Sequence, residues 1–145
     1  MTKLVYLVAV DGSKWSERAA VRAVTLASKT GAEVHFITVV PWSGYQPLTI
    51  QDLATRPLDK KLEEKAAHAD ILDPLAKRFA GSDVKTTFEL FWGKPVDVIH
   101  QQAKKEHVNM IFVGRRGHSR LADLIIGSVA NSLAHTVGVP IVLVP

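Results

Sequence analysis

Val108–Ser128, V-N-M-I-F-V-G-R-R-G-H-S-R-L-A-D-L-I-I-G-S, is the stretch on which the fold turns. Val108 to Val113 has the length and apolar character of a strand covered on both faces, as in parallel sheets. A helical pattern opens at Ser128, with Val129, Leu133 and Val137 on one face and Gly138 placed to close it. Gly114, Gly117 and Gly127 punctuate the segment between them, and Arg115, Arg116 and Arg120 stand among the glycines. Glycine lets backbone N–H groups converge on an anion with no Cβ in the way. The helix start adds unpaired N–H groups and a positive dipole end. Strand, glycine loop, helix start and cationic side chains together describe a phosphate cradle.

Outward from this segment the chain alternates strands and helices. Leu4 to Val10 (L-V-Y-L-V-A-V) is a second continuous apolar run, broken by Asp11-Gly12-Ser13. A helix follows from Lys14, with Ser13 able to cap it, Trp15, Ala19, Ala23, Leu26 and Ala27 on one stripe, and Gly31 closing it. Glu33 to Val40 reads as a strand ended by Pro41. Trp42 to Arg56 has no clean period and is expected to be a mobile loop at about 42–56. The next helix is expected to start near Pro57, with Leu58, Leu62, Ala69, Leu72, Ala76 and Phe79 inward. Val84 to Phe91 is a strand, Gly93-Lys94-Pro95 opens a helix with Val96, Ile99 and Ala103 inward, and Ile141 to Val144 is the last strand. Strict β-α alternation predicts an α/β fold, one domain over residues 1–145, with an open parallel five-stranded sheet and helices on both faces.

Composition excludes several classes. The chain has 145 residues, 47% of them apolar and 22% charged, which suits one globular domain. No apolar run approaches the roughly 20 residues a membrane span needs, so membrane insertion is not expected. There are no cysteines, hence no disulfides, thiolate metal sites or cysteine nucleophiles. With no signal-peptide layout at Met1-Thr2-Lys3, a cytoplasmic setting is expected. The net charge of +4 comes without a dense Lys/Arg run interleaved with aromatics, so nucleic acid is not an expected partner. The six histidines show no metal-ligand spacing, and no base is placed for Ser/His/Asp chemistry. Neither G-x-x-x-x-G-K-[ST] nor a G-x-G-x-x-G after the first strand occurs, so this is neither a Walker-type NTPase nor a dinucleotide-fingerprint protein.

Ligands of open α/β sheets bind beyond the carboxyl ends of the strands, where the strand order reverses. Asp11 follows the first strand and the glycine loop follows the fourth. If those strands are neighbours, Asp11 and Gly114 flank one crevice, the acid meeting ribose hydroxyls and the loop meeting phosphates. Taken singly, Asp11 reads as a helix cap and Gly114 and Gly117 as turn residues; their joint placement favours a ligand site.

The chain resembles the ATP-binding universal stress proteins. Gly114-x2-Gly117-x9-Gly127-Ser128 matches their G-2x-G-9x-G-[S/T] motif; the opening V-A-V-D-G-S (Val8–Ser13) and the closing G-V-P-I-V-L-V-P (Gly138–Pro145) are also similar to theirs. The resemblance implies a Rossmann-like sheet of the adenine nucleotide alpha hydrolase type, in the order 3-2-1-4-5. It implies that Asp11, reached through Ala9 and Val10, contacts the ribose or base, and that Val39 and Val40 lie against adenine. Gly114, Gly117, Gly127 and Ser128 would then hold the phosphates, with Val113 leading into the loop, Val129 continuing the helix start, and Arg116 and Ser119 adding contacts; beyond the motif, Arg115, Arg116, His118 and Arg120 give the loop extra positive charge at the ligand. The implied ligand is ATP, with AMP or ADP as alternatives and Mg2+ reached through the phosphates. The implied assembly is a homodimer through Ile141–Val144.

The function expected on these grounds is a nucleotide-dependent sensor or regulatory adaptor with an unidentified protein partner and at most weak ATPase activity. A slow nucleotide hydrolase or transferase using the same pocket is the alternative, and an interaction protein that no longer binds nucleotide is a third reading.

Overall fold

Val5–Ala9, the first strand (β1), is buried over all but its last residue because it lies in the middle of the sheet. The computed structural model describes residues 3–41, 50–117 and 127–145, with backbone alone for 50–58. In it β1 pairs in parallel with β2 (Glu33–Pro41) on one side and β4 (Met110–Gly114) on the other. The edges are β3 (Thr86–Gly93), parallel to β2, and β5 (Ile141–Val144), parallel to β4. The order is β3-β2-β1-β4-β5, as the resemblance implies.

Alternation along the central strands divides the core in two. Tyr6, Val8, Val34 and Phe36 face α1 (Lys14–Thr30) and the helices between β2 and β3. Leu7, Ile37, Ile111 and Val113 face α4 (Pro95–Lys105) and α5 (Ser128–Thr136). The first helix starts as read: Ser13 Oγ accepts the Ser16 N–H at 3.2 Å, and the chain leaves through Gly31 at φ +76°. Its buried stripe is mostly alanine (Ala19, Ala20, Ala23, Ala27), so the helix sits close to the sheet. At Gly114 the approach is closest. A Cβ there would stand 2.6 Å from Trp15 Cβ and 2.7 Å from the Trp15 carbonyl carbon, a spacing only glycine permits.

Three expectations are corrected. Helix α2 spans Ile50–Ala67, so residues 50–56 of the expected loop are helical and Pro57 lies inside the helix. The helix formers Gln51, Leu53, Ala54 and Arg56 carry the helix across a proline that removes one backbone donor; residues 42–49 lie outside the described residues. The expected inward stripe also fails in its first half: Leu62 is 57% exposed and Ala69 is exposed, whereas Leu72 and Leu75 are buried. A π turn, His68–Leu72, separates α2 from α3 (Asp73–Arg78), and the Asp73 N–H donates to the His68 carbonyl. The wider turn slips the 3.6-residue phase. Finally, α5 is closed by Val137 in an extended conformation (ψ 144°), so Gly138 is not a left-handed cap. Among the described residues no helix is long and apolar enough to cross a membrane.

Candidate functional site

Where the order reverses, between β1 and β4, the carboxyl ends of the central strands open into a cavity of about 560 Å3. Ala9, Val10 and Asp11 line it from β1, and residues 37–41 from β2. Val113, Gly114, Arg116 and Gly117 come from β4 and the loop after it. Gly127, Ser128, Val129 and Ala130 come from the start of α5. Pro95 and Ile99 of α4 close one side. Glu63, Ala66 and Ala67 of α2 and Ile71 of the π turn form a roof.

The acid at the tip of β1 is held by the first turn of α1. Asp11 Oδ1 accepts the Ser13 N–H at 2.9 Å, and the Asp11 N–H donates to Ser16 Oγ at 3.2 Å. Ser13, not Asp11, is the helix cap, so the carboxylate stands at the cavity wall. The glycine loop comes up against it: a Cβ on Gly117 would lie 2.6 Å from Asp11 Oδ2. On the other side a Cβ on Gly127 would lie 3.4 Å from Arg116 Cα and 3.6 Å from the Gly117 nitrogen. Asp11, Gly117 and Gly127 thus meet at one place, although residues 11 and 127 are far apart in sequence.

The loop is tied down at Arg115. Its N–H donates to the Val144 carbonyl at 2.7 Å, continuing the β4–β5 ladder, and its carbonyl accepts the Gly127 N–H at 2.7 Å. Arg115 is not among the residues that line the cavity, and its backbone N–H is held by the ladder bond to β5. Arg116 does line it, and its Nε–H is sealed from solvent with no hydrogen-bond partner among the described residues. A buried cationic donor in that state wants an acceptor such as a phosphate oxygen. The helix start is equally receptive, because Gly127 at the N-cap offers no side chain to the first N–H groups of α5. His118 and Ser119 lie outside the described residues.

A second hollow of about 550 Å3 runs along the outer face of α1, lined by Lys14, Arg18 and Arg22 with the Glu17–Arg78 ion pair. Its walls are long surface cations without converging backbone amides, so it is the weaker candidate. Within the first cavity, sequence reasoning missed Thr38, Pro41 and the roof. Thr38 was findable as the residue before Val39–Val40; the roof was not, because a helix taken to start at Pro57 with an inward stripe leaves no face for a cavity.

The chain is 29% identical over 142 residues to the universal stress protein YxiE of Bacillus subtilis, covering 95% of this chain and 96% of that one. Its fold matches the universal stress protein UspA from Lactobacillus plantarum with a TM-score of 0.82 at 23% identity, over the whole of both chains. It matches a universal stress protein from Archaeoglobus fulgidus in complex with dAMP with a TM-score of 0.68 at 19% identity, covering 99% and 98% of the two chains. The sequence model of the universal stress protein family matches residues 6–145, and the chain belongs to that family.

Proposed function

We propose that this protein binds an adenine nucleotide, ATP above all, in the cavity at the strand tips and acts as a nucleotide-dependent sensor or regulatory adaptor. One observation carries the reading: Asp11, Gly117 and Gly127 converge on one cavity whose other walls are mostly apolar. The order β2-β1-β4 suits a nucleotide laid across the sheet. Strands are about 4.8 Å apart, so β2 and β4 are separated by roughly 10 Å, a span a nucleoside bridges between base and 5′-phosphate. The base then lies against the end of β2, the ribose at Asp11 on β1, and the phosphates on the loop after β4 and the first N–H groups of α5. Mg2+ would be reached through the phosphates. The dAMP held by the Archaeoglobus fulgidus protein supports an adenylate as the ligand.

Hydrogen bonds to charged groups contribute roughly 1.5–3 kcal/mol each. A few of them with a buried base reach about −8 kcal/mol, a micromolar affinity. The α2 roof is the element a bound nucleotide would touch and a protein partner could read. We also infer a homodimer through β5, whose outer edge is unpaired among the described residues.

Mass analysis of small molecules released from denatured protein, followed by calorimetry with ATP, ADP and AMP, tests the reading. We expect micromolar binding, and a loss of at least about 100-fold in Gly117→Val with the melting temperature nearly unchanged. A wild-type protein that binds no adenine nucleotide, or a Gly117→Val variant that binds as well, overturns it.

A further inference from the structure

Among the described residues three polar side chains are buried: Ser13, Ser16 and Thr38. Two of them belong to the first turn of α1. Ser13 Oγ accepts the Ser16 N–H; Ser16 Oγ donates to the Ser13 carbonyl and accepts the Asp11 N–H. Thr38 differs. It is 2% exposed, it lines the cavity, and its hydroxyl makes no hydrogen bond among the described residues.

Its neighbours give the hydroxyl no structural reason to be there. Alternation puts Thr38 on the same face of β2 as Phe36, opposite Leu90 of β3. Val10 and Ile71, which line the cavity with it, belong to the same apolar cluster. A valine has nearly the shape of threonine and would lose no hydrogen bond at this position. Thr38 Oγ1 is not among the polar atoms sealed from solvent, so the hydroxyl opens on the cavity, where a donor or acceptor of a ligand can meet it.

We propose that Thr38 reads the base. Its hydroxyl hydrogen-bonds a ring nitrogen or amino group of the purine at the β2 end of the cavity, which makes the site selective for purine nucleotides. The inference rests on the proposed nucleotide site. Thr38 immediately precedes Val39 and Val40 on the strand assigned to the base, and β1 with Asp11 separates it from the phosphate loop. A threonine hydroxyl rotates to donate or accept, so it serves any purine edge turned toward it; a pyrimidine ring is shorter and leaves it unpaired.

The experiment compares wild type, Thr38→Val and Thr38→Ser by calorimetry with AMP and with ribose 5-phosphate, and by melting of the nucleotide-free proteins. Thr38→Val should bind AMP about tenfold more weakly, the loss of one hydrogen bond, with ribose 5-phosphate affinity unchanged and the nucleotide-free protein melting close to wild type. Thr38→Ser, which keeps the hydroxyl, should bind AMP close to wild type. Unchanged AMP binding by Thr38→Val, or an equal loss for both ligands, overturns the assignment. A wild type that binds no adenine nucleotide overturns the proposed function as well, so the two failures are distinguishable.

Discussion

Glu33 shows what one side chain does at the end of the sheet away from the cavity. It begins β2, Lys3 precedes β1, and Lys85 precedes β3. Glu33 Oε1 is ion-paired to Lys3 and lies 3.1 Å from Lys85 Nζ, while Oε2 lies 3.6 Å from His35 Nε2. One carboxylate, 12% exposed, therefore ties together the amino ends of three neighbouring strands. Both ammonium groups sit beside the same oxygen. The Lys3 ammonium, and after it Lys85, outweigh the opposing effect of burial and hold the carboxyl at about 2, below its ordinary 4.5. A depressed acid stabilises the fold above its unfolded value and loses that contribution as pH falls through its folded value. At about 1.4 kcal/mol per pH unit, and with exposed lysine partners screened by solvent, the contribution is about 1–3 kcal/mol. Stability measured by urea unfolding should hold at neutral pH and fall between pH 4.5 and 2. Glu33→Gln should be less stable at pH 7 and flatter across that window; a variant with the wild-type pH profile removes Glu33 as the cause. This role was hidden in the sequence, because the three residues meet only once the register of three strands is known. Asp11 was legible for the opposite reason: a strand-to-turn boundary and a glycine motif mark its place by local pattern alone.

Helix α2 is where local pattern carried least. Its face toward the cavity offers Glu63, Ala66 and Ala67, and its apolar residues therefore do not form a single core-facing stripe. The five strands were read to within two residues at each end, and α1, which buries one face against the sheet, to the residue. The roof was not, since what it covers is a cavity, and the π turn at His68–Leu72 shifts the phase of the helix that follows. What holds α2 in place is a contact with the end of the edge strand β3. The Trp92 indole Nε1–H donates to Glu64 Oε1 at 2.7 Å, and Lys60 Nζ lies 5.1 Å from the centre of the Trp92 ring. Adjacent residues of one helix thus face two ways, Glu63 to the cavity and Glu64 to the sheet edge. Replacing Trp92 by Phe keeps a ring for Lys60 and removes the N–H. Amide exchange should then quicken across residues 59–67 and leave Leu7 and Ile111 at the centre of the sheet as protected as before. The proposed nucleotide binding should weaken severalfold with the loosened roof, as the loss of about 1 kcal/mol would give. Unchanged exchange in α2 would show that Trp92 does not fasten it.

At the scale of the whole molecule, the two ends of the sheet have divided their tasks. The amino ends are fastened by charge at Glu33; the carboxyl ends are left open around the cavity and closed by backbone ties such as Arg115 to Val144. That last tie also fixes which atoms the molecule offers outward. The Pro140 and Val144 carbonyls accept from Ile111 and Arg115 of the β4 side. In a parallel ladder the residues between alternate, so Val142 also faces β4, and the N–H and C=O groups of Ile141 and Leu143 point away from it. An apolar edge strand with unpaired groups is a template for another strand. If a second copy pairs there, the Ile141 and Leu143 amides should exchange as slowly as that of Val142, and sedimentation should give twice the 15.9 kDa chain mass. Dilution to single chains should release Ile141 and Leu143 while Val142, bonded within its own sheet, stays protected. A single-chain mass at all concentrations, with fast exchange at Ile141 and Leu143, would leave the edge free and remove the homodimer. The same measurement with nucleotide bound asks whether occupancy reaches the edge. Arg115 joins the two, since its carbonyl holds Gly127 at the cavity and its N–H holds Val144 on β5, so nucleotide should slow exchange at Val144 before it changes any amide in β3.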